Sequence, residues 1–210
     1  MNALELNENL LHDPALKERA DFATIAAWVR PGSKVLDLGC GDGILLRYLK
    51  QSLSVRGYGV EIDDSNVLAS VRNGVNVIQN NLETGLSAFE SNSFDYVILS
   101  QTLQAMHHTE SIVNEILRVG REGIVTFPNF GYWRARGQVF RGRMPVSKNL
   151  PYQWYDTPNV HLCTIDDFEA FCAKHGVRIL ERVVMTNDRF ISLFPNLLGS
   201  LAVYRLERQK

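Results

Sequence analysis

What this chain has little of narrows it quickly. It holds three cysteines, Cys40, Cys163 and Cys172, an odd number with no paired C-x-x-C spacing, so neither a disulfide framework nor a zinc site is written into them. They read as reduced thiols, and no metal is expected. Nowhere do about 18 apolar residues run together without charge, which leaves no candidate membrane span and no membrane partner. Met1 to His12 are polar and acidic and lack the apolar core of a secretory signal, so the expected location is the cytoplasm. An excess of one charge is missing too: 22 basic residues face 23 acidic ones, and nucleic acid is disfavoured as a partner. No repeat or low-complexity tract is present. With 45% hydrophobic content over 210 residues, the expectation is a single domain, 1–210, around one buried core.

One local absence says more. Between Glu122 and Asp156 there is no acidic residue, yet Arg134, Arg136, Arg141, Arg143 and Lys148 fall inside that interval. Phe127, Phe130, Tyr132, Trp133, Phe140, Tyr152, Trp154, Tyr155 and three prolines share it. Long connections in compact domains are usually functional or disordered, and the aromatic content argues for order. An aromatic and basic insertion is therefore expected at about 128–162.

Elsewhere the pattern alternates between strand and helix. Leu16 to Val29 has helical spacing and is stopped by Pro31-Gly32. Val35 to Leu38, Arg56 to Ile62, Val75 to Gln79, Phe94 to Leu99 and Gly123 to Phe127 read as strands. Ile44 to Leu49 and Ile112 to Val119 read as helices between them, as does a segment capped by Asp64-Ser65. Such alternation makes parallel βαβ units. Thr164-Ile165-Asp166-Asp167 predicts a capping box, with Asp where Glu or Gln is usual, ahead of Phe168 to His175. Val177 to Met185 and Leu201 to Leu206 are the final strands.

Three alternating glycines follow the first strand, in Asp37-Leu38-Gly39-Cys40-Gly41-Asp42-Gly43. Glycine permits close backbone approach, and the following helix presents its N-terminus. A dinucleotide fingerprint would put its third small residue at position 44, where Ile44 stands. D-x-G-x-G-x-G instead resembles the first motif of class I S-adenosylmethionine-dependent methyltransferases. By that resemblance Gly39, Cys40, Gly41 and Gly43 would lie against the methionine half of the cofactor, and Asp37 would hold its ammonium group. Glu61, at the end of strand two and 20 residues after Gly41, is placed to accept from two ribose hydroxyls. Asn81, after strand three, occupies the position where methyltransferases of this class usually have an adenine-binding aspartate; its amide can still accept from an amine. Ile62, Leu82 and Ser100 complete the candidate cofactor residues.

No catalytic residue emerges. Methyl transfer to oxygen or nitrogen needs a positioned base, and the N-P-P-Y signature of planar-amine methylation is missing after strand four. His107, His108 and His161 are the available bases, and the Cys40 thiol reads as a small buried filler. The insertion admits a lid for an anionic substrate or a docking surface, with Tyr132, Trp133, Arg134, Arg136, Tyr152, Trp154 and Tyr155 as its contact residues.

Phe127-Pro-Asn-Phe-Gly-Tyr-Trp133, followed by Leu150-Pro-Tyr-Gln-Trp-Tyr-Asp-Thr-Pro-Asn-Val-His-Leu-Cys-Thr164, resembles the methionine biosynthesis protein MetW family. The resemblance runs from Asp21-Phe22 through the last strand. It implies an α/β, Rossmann-like class I methyltransferase fold: a seven-stranded, mostly parallel sheet with the last strand antiparallel and helices on both faces. It also implies association with a partner, the homoserine O-acyltransferase MetX, whose activity the protein would support; with the glycine loop the expectation is binding of S-adenosylmethionine or S-adenosylhomocysteine, and the sequence leaves both a homodimer and a hetero-oligomer open. The alternative is an active methyltransferase on a small molecule.

Overall fold

The computed structural model describes residues 19–209. The start of the first expected helix, 16–18, and the segment Met1 to His12 lie outside them. Helix α1 (Ala20–Trp28) leads into β1 (Lys34–Leu38), α2 (Ile44–Leu53), β2 (Arg56–Glu61), α3 (Asp64–Arg72) and β3 (Asn76–Gln79). β4 (Phe94–Ser100), α4 (Thr109–Val119) and β5 (Gly120–Pro128) follow, then α5 (Trp133–Phe140) and α6 (Ile165–Lys174). The chain continues through β6 (Val177–Thr186), β7 (Arg189–Phe190), α7 (Pro195–Leu198) and β8 (Leu201–Arg208).

The strands form one sheet in the order β3-β2-β1-β4-β5-β8-β6-β7. β1 to β5 pair in parallel, whereas β8 slots between β5 and β6 antiparallel to both, with Val125 opposite Tyr204 and Val184 opposite Ala202. The expected Rossmann-like methyltransferase sheet with an antiparallel last strand is present. It has eight strands rather than seven, because Asn187 (φ 48°) and Asp188 (φ 62°) make a two-residue turn that folds Arg189 and Phe190 back on β6. Consecutive left-handed residues match the twist of a hairpin, and Asn and Asp tolerate that conformation.

Side chains alternate across each buried strand. Leu36, Leu38, Val97, Leu99, Val125, Phe127, Tyr204 and Leu206 face α4 and α6 in one half of the core. Val35, Ile98, Ile124 and Val203 face α1 and α2 in the other. The helices supply the matching stripes, Ile112, Val113, Ile116 and Leu117 on α4 and Leu45, Leu46, Leu49 and Leu53 on α2. Phe127, Phe168 and Tyr204 form an aromatic cluster with ring centroids 4.7 to 5.8 Å apart, and the Tyr204 hydroxyl donates to Glu169 at 2.8 Å.

Local starts and stops mostly follow the sequence signals. Thr164 Oγ1 accepts from the Asp167 amide at 3.2 Å while Asp167 accepts from the Thr164 amide at 3.1 Å, so the shortened capping box closes. The cap of α3 is Asp63, which accepts from the Asn66 amide at 3.0 Å. It replaces the expected Asp64-Ser65, since the chain leaves extended geometry one residue earlier. Among the described residues no helix is long and apolar enough to cross a membrane.

Candidate functional site

The carboxyl ends of β1, β2 and β4 converge around the glycine loop. Gly39, Gly41 and Gly43 all have φ between 55° and 76°, a conformation that L side chains resist. Their surroundings divide the three by role. A Cβ on Gly39 would come within 2.8 Å of Thr102 Oγ1, and one on Gly43 within 2.8 Å of Ser70 Oγ. Those two glycines let neighbouring segments of the protein close in. A Cβ on Gly41 would meet nothing within 4 Å, so Gly41 faces the open side of the loop.

Glu61 builds the loop from below. Buried at the end of β2, its Oε2 accepts from the Gly41 amide at 2.8 Å, and its Oε1 accepts from the Ile62 and Asp63 amides at 2.8 and 3.0 Å. The 20-residue spacing therefore corresponds to a direct bond. Of roughly four lone-pair positions on a carboxylate, three are occupied, all by backbone. Oε2 keeps one lone-pair position for a further donor. The Gly39 and Cys40 amides donate to the Val60 carbonyl at 2.8 and 3.1 Å. Hence the N–H groups of Gly39, Cys40 and Gly41 are spent inside the protein. A phosphate cradle needs such groups free; this loop offers close approach without an anion-binding crown.

Asp37 adds a second acid to the site. It is buried on β1 beneath the loop, and its Oδ1 has no hydrogen-bond partner. Burial pushes its pKa up to about 7, opposed by the nearby Arg19 guanidinium and reinforced by Glu61. An orphaned, desolvated carboxylate oxygen is a receptor for a cation that brings its own N–H donors.

The Cys40 thiol points away from the open side. It packs against Gly59, where a Cβ would fall 2.4 Å from Sγ, and lies 3.7 Å from Ser70 Oγ. Burial raises it to about 12, so it is a filler and not a nucleophile. Cys163 and Cys172 are likewise raised to about 12 by burial. On the far side, Ile62 is exposed and Leu82 buried. Asn81 caps a short 3-10 turn, its Oδ1 accepting from the Glu83 amide at 2.9 Å, which leaves its NH2 and one lone pair for a ligand.

Ser100 joins a network that sequence reasoning missed. Arg19 grips the buried Asp21 through two bonds of 3.0 and 2.9 Å, stacks over Phe22, and donates to Ser100 Oγ at 3.0 Å. Gln101, next in the chain, has φ +51°, and its amide is held by Thr126 O and Oγ1 at 3.0 and 2.9 Å. A non-glycine residue held there is strained, and such outliers gather at functional sites. Nothing in the sequence around Gln101 signals a left-handed residue, and Arg19 and Asp21 precede the motif. Arg19, Asp21 and Gln101 form one wall of a cleft of about 590 Å³; Tyr132 and Arg134 of the insertion and Asp188 of the β6–β7 turn contribute others.

The three candidate bases, His107, His108 and His161, lie elsewhere and are exposed. His108 Nδ1 pairs with Glu83 Oε2 at 2.8 Å, and His161 Nε2 lies 3.3 Å from the His107 carbonyl. They line a separate hollow with Glu110 and Asn114. In the insertion, α5 forms without a helical signal in the sequence. It exposes Trp133 with Arg134 5.3 Å over its ring, while Tyr132 packs edge-on against Trp133 at 5.9 Å. Arg136 donates to the Gly131 carbonyl. Trp154 and Tyr155 form a second exposed edge-to-face pair at 5.7 Å, next to exposed Tyr152.

The start of the insertion is anchored by buried Asn129, a residue without a sequence signal. Its Oδ1 accepts from the Gly131 and Ile165 amides at 2.9 and 3.2 Å, and its Nδ2 donates to the Asn196 and Gly199 carbonyls at 2.9 and 2.8 Å. All four capacities of the amide are used, tying together the ends of β5 and α7 and the start of α6.

The strand order, the antiparallel β8 and a glycine loop braced by a β2-terminal acid define a protein of the class I methyltransferase fold. A methyltransferase from Mesorhizobium loti, S-adenosylmethionine dependent, superposes with a TM-score of 0.67 at 16% identity, over 90% of this chain and 98% of its own. The [4+2]-cyclase SpnF superposes with a TM-score of 0.65 at 17% identity, over 93% of this chain and 82% of its own, so the fold by itself names no reaction. Residues 19–206 match the family described as methionine biosynthesis protein MetW, and the chain belongs to that family. It is 37% identical over 203 residues to the bifunctional methionine biosynthesis protein MetXA/MetW of Rhodopirellula baltica, covering 90% of this chain and 33% of the relative. The chain thus spans about a third of the length of that relative.

Proposed function

We propose that this methionine biosynthesis protein binds S-adenosylmethionine or S-adenosylhomocysteine at the glycine loop and supports a homoserine O-acyltransferase, MetX, as a partner in the cytoplasm. The observation that carries the ligand reading is the orphaned Oδ1 of Asp37 beneath an open Gly41. An ammonium group would give that oxygen its missing donor and would draw Asp37 into its charged form. The spent amides of the loop favour such a ligand over a pyrophosphate. Glu61 Oε2 would take one ribose hydroxyl, Ile62 and Leu82 would cover the base, and Asn81 would meet its edge.

When bound, S-adenosylmethionine supplies an electrophilic methyl group. The residues on this chain bind and orient: Asp37 holds a cation, Glu61 fixes the loop, and Thr102 packs the end of β4 against Gly39. His108 pairs with Glu83 and His161 with the His107 carbonyl in a different hollow, which favours a binding role over group transfer. The partner reading rests on the relative that joins MetXA and MetW in one chain, together with the exposed aromatic and cationic residues of the insertion.

A second reading, methyl transfer to a small molecule, draws on the 590 Å³ cleft beside strained Gln101. Titration calorimetry with each cofactor form tests the site. Acyltransferase assays with and without this chain, with product mixtures screened for newly formed S-adenosylhomocysteine, separate the readings. Stimulated acyl transfer without new S-adenosylhomocysteine is the expected result. Steady turnover of cofactor in the absence of the partner would establish the second reading.

A further inference from the structure

Phe194 is the one aromatic among the described residues with positive φ, at φ 45° and ψ 55°. For a bulky L side chain that conformation is a steric outlier, whereas Asn or Gly adopts it readily. Phe194 gains no burial in return, being 65% exposed, and Phe190, four residues earlier in the chain, is 74% exposed. Leu193, Leu197 and Leu198 are exposed in the same stretch. Strained backbone and uncovered apolar surface at one place point to a contact made outside the chain.

The stretch is held rigid. The Leu197 and Leu198 amides both donate to the Phe194 carbonyl at 2.9 Å, and Asn129 grips the Asn196 and Gly199 carbonyls from the end of β5. Gly131 lies so close that a Cβ there would fall 2.3 Å from Asn196 Oδ1. Asn149 in turn donates to Ser200. The apolar stretch is therefore fixed beside the segment that contains Trp133 and Arg134 and has no acidic residue from Gly123 to Tyr155.

We infer that Phe190–Leu198 is the apolar centre of a docking face whose cationic rim is the insertion, and that its occupant is the acyltransferase subunit of the reading above, on which this inference rests. A patch of this kind fits an apolar hollow with an acidic border on the partner. In the Rhodopirellula baltica relative the MetXA and MetW parts are covalently joined, an arrangement that keeps the local concentration of each high.

The test uses the full chain and purified homoserine O-acyltransferase, with Phe194→Asn and the double variant Phe190→Ser/Leu193→Ser. Affinity for the acyltransferase should fall about tenfold or more in each, while binding of S-adenosylhomocysteine stays unchanged. The melting temperature of Phe194→Asn alone should hold or rise, since Asn relieves the backbone. Undiminished affinity in both variants overturns the docking face and leaves the proposed function standing. A wild-type chain that does not bind the acyltransferase overturns both. A homodimer that dissociates in the variants, with acyltransferase affinity intact, overturns this assignment in favour of a second copy as occupant.

Discussion

Asp37→Asn should make the ligand-free protein more stable and the ligand weaker, two effects that ordinary damage to a site does not combine. In the folded chain Asp37 keeps its proton up to about pH 7, against 3.8 for an ordinary aspartate, so between those values the folded state binds the extra proton. Stability therefore falls as pH rises from about 4 to 7 and is not regained above. At about 1.4 kcal/mol per pH unit, the two units between pH 5 and the folded value correspond to a loss of about 3 kcal/mol. Asn has no proton to lose, and every other titrating group is common to both proteins. The stability difference, variant minus wild type, should thus grow by about 3 kcal/mol between pH 5 and pH 8. Urea unfolding at both values measures it. Cofactor affinity, read by calorimetry, should drop by about 1.5 to 3 kcal/mol at pH 8, the range for a charge-assisted bond. It should also lose the rise with pH that ionisation of Asp37 gives the wild type. A stability difference that is the same at both pH values would refute the reasoning.

Glu61→Ala should weaken cofactor binding by about 1 to 3 kcal/mol and, by leaving the Gly41, Ile62 and Asp63 amides without their acceptor, lower stability by a similar amount; unchanged calorimetric affinity would remove Glu61 from the site. Asn129→Ala strands two buried carbonyl and two amide partners and should cost about 2 to 4 kcal/mol in chemical unfolding. Thr164→Ala opens the capping box and should cost about 1 kcal/mol, with no effect on cofactor affinity.

Much of this architecture is written in local pattern. Strand alternation and the leucine stripes of α2 and α4 encode their own burial, and the D-x-G-x-G-x-G spacing encodes the turn after β1. Glu61 was legible because its partner lies a fixed distance away in one βαβ unit. What stayed hidden depends on residues far apart in the chain. Arg19 and Ser100 are 81 positions apart, Asn129 and Gly199 are 70 apart, and no periodicity links them. The left-handed conformations of Gln101 and Phe194 are imposed by their neighbours against their own preferences, so composition gives no warning. Strand β7 is only two residues long, too short to show a period, although Asn187-Asp188 is the turn signal that could have revealed it.

β8 lies inside the sheet, between β5 and β6, although it follows every other described strand in sequence, and this sets an order on folding. Until residues 201–208 arrive, β5 and β6 have no partner between them, and the Ile124-Val125-Phe127 edge of β5 is open to any passing strand. The nascent chain can assemble β1 to β5 with their helices as a half-sheet, but the antiparallel insertion must wait. Closure is thus a late step with long sequence separation, slow by the entropy of loop closure. Variants that weaken β8, such as Tyr204 or Leu206 changes, should reveal themselves first as aggregation during synthesis, before any loss of ligand affinity can be measured.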